Sequence, residues 1–347
     1  MSYFHGGDIY RNSVEYDFSV NINPLGMPKE SIKAAQNGIL LSEHYPDYKG
    51  EKLCNAIADK DGVRTEQIVL GNGAAELIYA LCYAVRPKKG LLAVPCFQEY
   101  EEAVKRSGGI VDFYNLREDD NFRLGEDFIE RITDDIDIIF ICNPNNPTGN
   151  ITDKELLEKI AVKCESTNTY FCLDECFLPF LLNEKEITLK NRIDEFPNLI
   201  VLRAFTKIYA MAGLRLGYAL SSNEKLLKNM RSTMQPWNTS IPAQMAGIEA
   251  LKDSEYIEKT LRLISEEKKY LINELSNGLA DKIYASAANY IFFKAEKNLK
   301  ELLLKQKILI RSYGNYRNLT DNFYRIGVRT HSENQELIKR WKACKEV

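Results

Sequence analysis

Histidine is scarce: three in 347 residues, His5, His44 and His331, far apart along the chain. That gives little footing for a Ser/His/Asp hydrolase or a histidine-rich metal site. The eight cysteines include no CxxC pair and no His/Cys cluster at zinc spacing, so they read mostly as buried, reduced thiols. No apolar run approaches the roughly 18 residues a membrane span requires. The opening MSYFHGGDIY lacks the basic and apolar regions of a signal peptide. Together these absences set the expectation of a cytoplasmic protein without a membrane partner. Positive charge is not in surplus either. Lys and Arg number 46 against 49 Asp and Glu, a net charge of -3, and no basic stripe is visible, which argues against a nucleic-acid partner.

What is present is ordinary globular composition, 45% apolar and 27% charged. At roughly 150 residues per domain the length predicts two domains, or one large domain with an appendage. From 68 to 220, short apolar runs alternate with amphipathic stretches. The runs are IVL (68–70), LLAVPCF (91–97), IDIIFIC (136–142), TYFCLD (169–174), LIVLRAF (199–205) and RLGYAL (215–220). They are nearly continuous rather than alternating, which predicts strands covered on both faces, an α/β domain with a mostly parallel central sheet flanked by helices. Residues 76–84 read as a helix, and Thr152 three residues before Glu155 reads as a capping box for the next one. Beyond Ser222 the pattern changes to a long helical stretch at 256–275 and strands at 290–295 and 324–329, with Ser332 expected to cap a last helix. The organisation expected is an arm, 1–35, joining the small domain; a large α/β domain, 36–235; and a small α+β domain, 236–347.

Ligands of open α/β sheets bind beyond the carboxyl ends of the strands. There IDIIFIC runs into NPNNPTGN, TYFCLD ends on Asp174, and LIVLRAF runs into Thr206 and Lys207, with Arg215 eight residues later. GNGAAE, just before the helix at 76, offers glycines that let backbone amides face an anion. A phosphate cradle, an acid, an amine and a second cation share one rim. Pyridoxal phosphate requires this set: a lysine for the Schiff base, a carboxylate to hold the ring nitrogen protonated, and amides and arginine for the phosphate. Taken singly, Lys207 or Arg215 could be solvated, Asp174 a helix cap and Asn146 a turn residue; the set carries the reading.

The stretch FTKIYAMAGLRLGY, with NPNNPTG and LDEC, resembles the class I/II aminotransferases of the fold-type I superfamily, from Asn21 to the end of the chain. The resemblance implies that Lys207 is the Schiff-base lysine and proton shuttle and that Asp174 pairs with the pyridine nitrogen. It implies that Asn146 bonds the ring hydroxyl and that Phe97 stacks on the ring. Arg215, Thr206 and the amides of Gly73, Ala74 and Ala75 would hold the phosphate. Tyr45, in HYPDY, would reach the neighbouring subunit's cofactor phosphate, which implies a homodimer with shared sites. Two departures stand out: Ala204 where relatives commonly carry a phosphate-binding serine, and Phe177 where many carry a tyrosine that donates to the ring hydroxyl.

HGGDIY, DFSVNINPLG, HYPDY, PCFQEYE, ILIRSYGNYRNL and YRIGVRTHSEN are most similar to the threonine-phosphate decarboxylase branch of cobalamin synthesis, which also favours phenylalanine at position 177. By that resemblance His5, Gly6, Asn23 and Arg311 approach the phosphate of a small phosphorylated amino-acid substrate, and Arg325 holds its carboxylate. Asp8 departs from the asparagine common there, and would repel a phosphate unless it points away. The expected activity is decarboxylation of a phosphorylated hydroxy-amino acid. The alternative is an aminotransferase, such as one for histidinol phosphate; a third, from another class, is a cofactor-fold protein that binds without turnover.

Overall fold

The structure is a computed structural model, and it describes residues 5–345. Thirteen strands occur among these residues: β1 (Tyr16–Asp17), β2 (Ile68–Gly71), β3 (Lys89–Val94), β4 (Ile110–Asn115), β5 (Ile138–Cys142), β6 (Tyr170–Asp174), β7 (Leu199–Ala204), β8 (Gly217–Leu220), β9 (Lys282–Tyr284), β10 (Tyr290–Lys294), β11 (Ile308–Leu309), β12 (Arg311–Ser312) and β13 (Phe323–Gly327). Seven form a central sheet in the order β2-β8-β7-β6-β5-β3-β4. Its pairs are parallel from β7 through β4, while β8 runs antiparallel to both β7 and β2. Every residue of β5, β7 and β8 is buried, as strands covered on both faces require. The apolar runs mark the five interior strands and also the edge strand β2, which is itself largely buried. They miss β4, the other edge strand, whose sequence IVDFYN exposes Ile110 and Asn115 and has no fully buried residue.

A second sheet, β12-β13-β10-β9, is antiparallel throughout and holds the strands expected near 290 and 324. Its core is aromatic: Phe292 packs on Tyr284, Tyr313 and Phe323. The N-terminal arm joins this region through β1, which pairs parallel with β11. The long helix Ser254–Ser276 matches the helical stretch expected at 256–275.

Two capping expectations are corrected. The helix after the NPNNPTGN loop, Lys154–Ser166, is capped by Asp153, whose side chain accepts from Leu156 N, while the Thr152 amide donates to Asn143 Oδ1. Thr152 is held in the loop's turn and so cannot serve as the cap. At the last helix, His331–Lys345, Ser332 lies inside the first turn. There the carboxylate of Glu333 accepts from the amide and hydroxyl of Thr330.

Candidate active site

The carboxyl ends of β5, β6 and β7 open onto a cavity of about 470 Å³ that N-terminal residues and the antiparallel sheet line from the other side. Asp174 ends β6 and is 5% exposed. Its Oδ2 accepts from the Tyr100 hydroxyl at 2.6 Å and its Oδ1 from the Cys176 amide at 3.0 Å. Two donors fix the carboxylate in the cavity wall, where it can face a cationic ring nitrogen. Lys207 follows β7 on the single helical turn Phe205–Ile208. Burial first, then the guanidiniums of Arg325 and Arg215, pull its ammonium down to about 8, within reach of the neutral amine that attacks an aldehyde.

The anion cradle lies at the start of the helix Ala74–Val85. Gly73 precedes it with φ +84°, and a Cβ there would fall 2.8 Å from Arg215 Nη2, so only glycine lets that guanidinium lie over the helix start. Arg215 itself adopts a left-handed φ of 59°, unusual for a bulky residue and a mark of a conformation held by its surroundings. Opposite, a Cβ on Gly217 would fall 2.8 Å from Ala74 N. Ala74, Ala75, Thr206 and Ala204 line this end of the cavity. The donors suit a ligand with a phosphate at one end, a ring nitrogen near Asp174 and an electrophilic carbon near Lys207.

The antiparallel sheet supplies two more cations. Arg311 and Arg325 are direct partners across the antiparallel pair β12/β13, both line the cavity, and they are 7% and 6% exposed. Among the described residues neither has a carboxylate within ion-pair distance. Arg325 donates to Asn146 Oδ1 at 2.7 Å and to the Ser19 carbonyl at 2.9 Å, and its Nε has no hydrogen-bond partner. Arg311 lies beside the rings of Tyr313 and Tyr316. Like charges directly opposite each other destabilise a sheet. An anionic ligand between them removes that cost.

Most residues named from the sequence converge here: His5, Gly6, Ala74, Ala75, Phe97, Asn146, Asp174, Thr206, Lys207, Arg215, Arg311 and Arg325 all line the cavity. Asn23 does not, and this corrects the expectation. Its amide donates to the Ile208 carbonyl and Thr260 Oγ1, and its Oδ1 accepts from Leu25 N, so the whole side chain is consumed in fixing the turn that carries Lys207. Of the two, Asn21 is the one at the cavity, 2% exposed, with an Nδ2 that has no partner among the described residues. Tyr45 is also away from the cavity, 78% exposed and stacked on Trp237 at 4.5 Å. Asp8 is not among the lining residues and pairs with Arg11, so it points away. Phe177 packs edge-on against Tyr290 and contributes no hydroxyl. Tyr100 was missed by the sequence reading; the signal available was its place in PCFQEY, three residues after Phe97.

The chain is similar in sequence and in fold to known proteins. Residues 14–340 match the family described as aminotransferase class I and II. The chain is 36% identical over 325 residues to threonine-phosphate decarboxylase of Salmonella typhimurium, covering 93% of this chain and 89% of that protein. It is 33% identical over 346 residues to a histidinol-phosphate aminotransferase of a Thermoanaerobacter species, covering 98% and 95%. Among solved structures, the histidinol-phosphate aminotransferase of Clostridium acetobutylicum superposes with a TM-score of 0.89 at 32% identity, over 96% of this chain and 100% of that one.

Proposed function

From the premise that this chain belongs to the class I and II aminotransferase family, we propose that it is a pyridoxal-phosphate enzyme that decarboxylates a small phosphorylated hydroxy-amino acid, of the L-threonine O-3-phosphate kind. The observation that carries the reading is the pair Arg311 and Arg325, two buried guanidiniums facing each other across β12/β13 with no carboxylate partner among the described residues. One meets the substrate carboxylate; the second asks for another anion on the same small molecule, and a phosphate supplies it.

Pyridoxal phosphate, when bound, supplies a protonated ring that accepts electrons from the substrate α-carbon. Asp174 holds the proton on the ring nitrogen, and Tyr100 and the Cys176 amide hold Asp174. Lys207 Nζ would be the attachment point and would move the proton at the substrate α-carbon. Arg215, Thr206 and the Gly73–Ala75 amides would hold the cofactor phosphate, Phe97 would cover the ring, and Asn146, whose Oδ1 accepts from Arg325, would meet the ring hydroxyl. His5, Gly6 and Asn21 close the substrate phosphate site with Arg311. The division at 35 and 235 belongs to this proposal, as does the cytoplasm as its location. No helix among the described residues is long and apolar enough to cross a membrane.

The proposal includes a homodimer with shared sites. Exposed apolar residues gather in one stretch, Ile39, Leu40, Leu41, Tyr45 and Tyr48, with Trp237 stacked on Tyr45. Tyr45 so placed suits a reach to a second subunit.

Transamination is the second reading, favoured by the relatives at 33% and 32% identity. Threonine phosphate incubated with the enzyme and an added keto-acid acceptor, with carbon dioxide followed in one channel and the keto acid formed from threonine phosphate in the other, separates them. Carbon dioxide without keto acid is the expected outcome; keto acid without carbon dioxide reverses the assignment. A Lys207→Ala chain that retained turnover would remove the mechanism altogether, the expected loss being on the order of 10⁴-fold. A cofactor absorbance band that shifts on adding substrate, with no product, would leave a binding protein.

A further inference from the structure

The cavity contains a carboxylate for which the reaction has no use. Glu99 opens the helix Glu99–Arg106 and faces the cavity whose cations await the substrate's anions. A carboxylate there repels an anionic ligand unless its charge is engaged elsewhere. It is engaged twice: Oε1 lies 3.0 Å from His5 Nε2, and Oε2 accepts from the Tyr79 hydroxyl at 2.5 Å. His5, and after burial is counted Tyr79, hold this carboxyl below the usual glutamate range. Three elements meet at one side chain. His5 belongs to the arm, Tyr79 to the helix whose first turn is the anion cradle, and Glu99 to the helix that follows Phe97. The arm beside His5 is closely fitted. A Cβ on Gly6 would fall 2.5 Å from the Ser19 carbonyl oxygen, and the Gly7 amide donates to Ser19 Oγ at 2.7 Å.

Building on the reading of a phosphorylated amino-acid substrate, we propose that Glu99 is a positioning residue that orients His5 over the cavity, so that the arm's share of substrate-phosphate binding passes through the Glu99 carboxylate. The consequence runs against simple charge counting. Neutralising an acid inside an anion pocket should tighten anion binding; here it weakens it, because His5 loses the charge that orients it.

The test uses the holoenzyme and inorganic phosphate as the probe, with binding followed by calorimetry for the parent, Glu99→Gln, His5→Ala and the double variant. Glu99→Gln is expected to weaken phosphate about tenfold, the difference between a hydrogen bond to a charged acceptor and one to a neutral acceptor. The double variant should bind within about twofold of His5→Ala alone, since residues acting as one unit are not additive. With threonine phosphate, Glu99→Gln should raise KM and leave kcat unchanged, a split that a general loss of structure does not give. Tyr79→Phe keeps the charge and removes one donor, and an intermediate loss of about threefold is expected even if Glu99→Gln fails to fold. Unchanged or tighter phosphate binding in Glu99→Gln, additive losses in the double variant, or a parent holoenzyme that binds no phosphate would overturn the assignment. Phosphate binding that depends on Glu99 and His5, in an enzyme that turns over no phosphorylated amino acid, would support it while overturning the reading of the reaction.

Discussion

Arg203 and Arg325 are both more than nine-tenths buried, at 3% and 6% exposure, and they are surrounded in opposite ways. Arg203, in β7, is enclosed by Glu175 and Glu184, with Thr188 bonded to both Arg203 and Glu175. Nearby, Asp61 pairs with Lys190 and accepts from Tyr218. Every charge in that region has an opposite. On the cavity side Lys207, Arg215, Arg311 and Arg325 outnumber Asp174 and Glu99. Burying a charge without a counter-charge is costly. The matched region explains how the sheet tolerates ions beneath it, and the unmatched one marks where an anion is meant to go. Asp174 and Glu175, adjacent in sequence, fall on opposite sides of this division, as alternate residues at the end of a strand must.

The largest effect should come from breaking the matched side. Arg203→Met strands Glu175 in the interior, and a loss of about 3–5 kcal/mol in unfolding free energy is expected from denaturant titration. A loss below about 1 kcal/mol would show that the network is not an energetic unit. Arg325→Gln tests the other side. Folding stability should hold or rise, while KM for the amino-acid substrate climbs about 100-fold. A variant that unfolds while the remaining folded enzyme keeps its KM would erase the distinction between the two arginines.

A smaller effect concerns pH. The Lys207 pKa is about 8 in the fold and near 10.4 in an unfolded chain. Between those values the unfolded state binds more protons, so this group makes the cofactor-free protein more stable as pH rises from 8 towards 10.4, by at most about 1.4 kcal/mol per unit. Below 8 both states are protonated and the slope vanishes. The difference in denaturant midpoint between the parent and Lys207→Met, followed across this window, should show that slope. Smallest of all is Asp8→Asn. Its partner is Arg11 and it does not line the cavity, so KM should stay within about twofold. A clear tightening would bring Asp8 back to the phosphate site.

How much of this was legible beforehand differs by element. Interior strands announced themselves because burial on both faces demands continuous apolarity; β4 and the two-residue strands β1, β11 and β12 carry too little of it. The cap at Asp153 went to Thr152 in the sequence reading because both residues satisfy a capping pattern, and only the bond from the Thr152 amide to Asn143 decides between them. Asn21 and Asn23 stand two apart in an irregular segment, where no periodicity says which faces the cavity.

The sequence by itself determined the α/β class and the set of lysine, acid and anion cradle, because these lie at strand ends that follow recognisable apolar runs. Tertiary structure alone decided that Arg311 faces Arg325, that Tyr100 holds Asp174, that Asn21 rather than Asn23 reaches the cavity and that Glu99 meets His5. Those partners are set by sheet register and by helices packing across long stretches of chain. Local propensity and spacing carry no record of either.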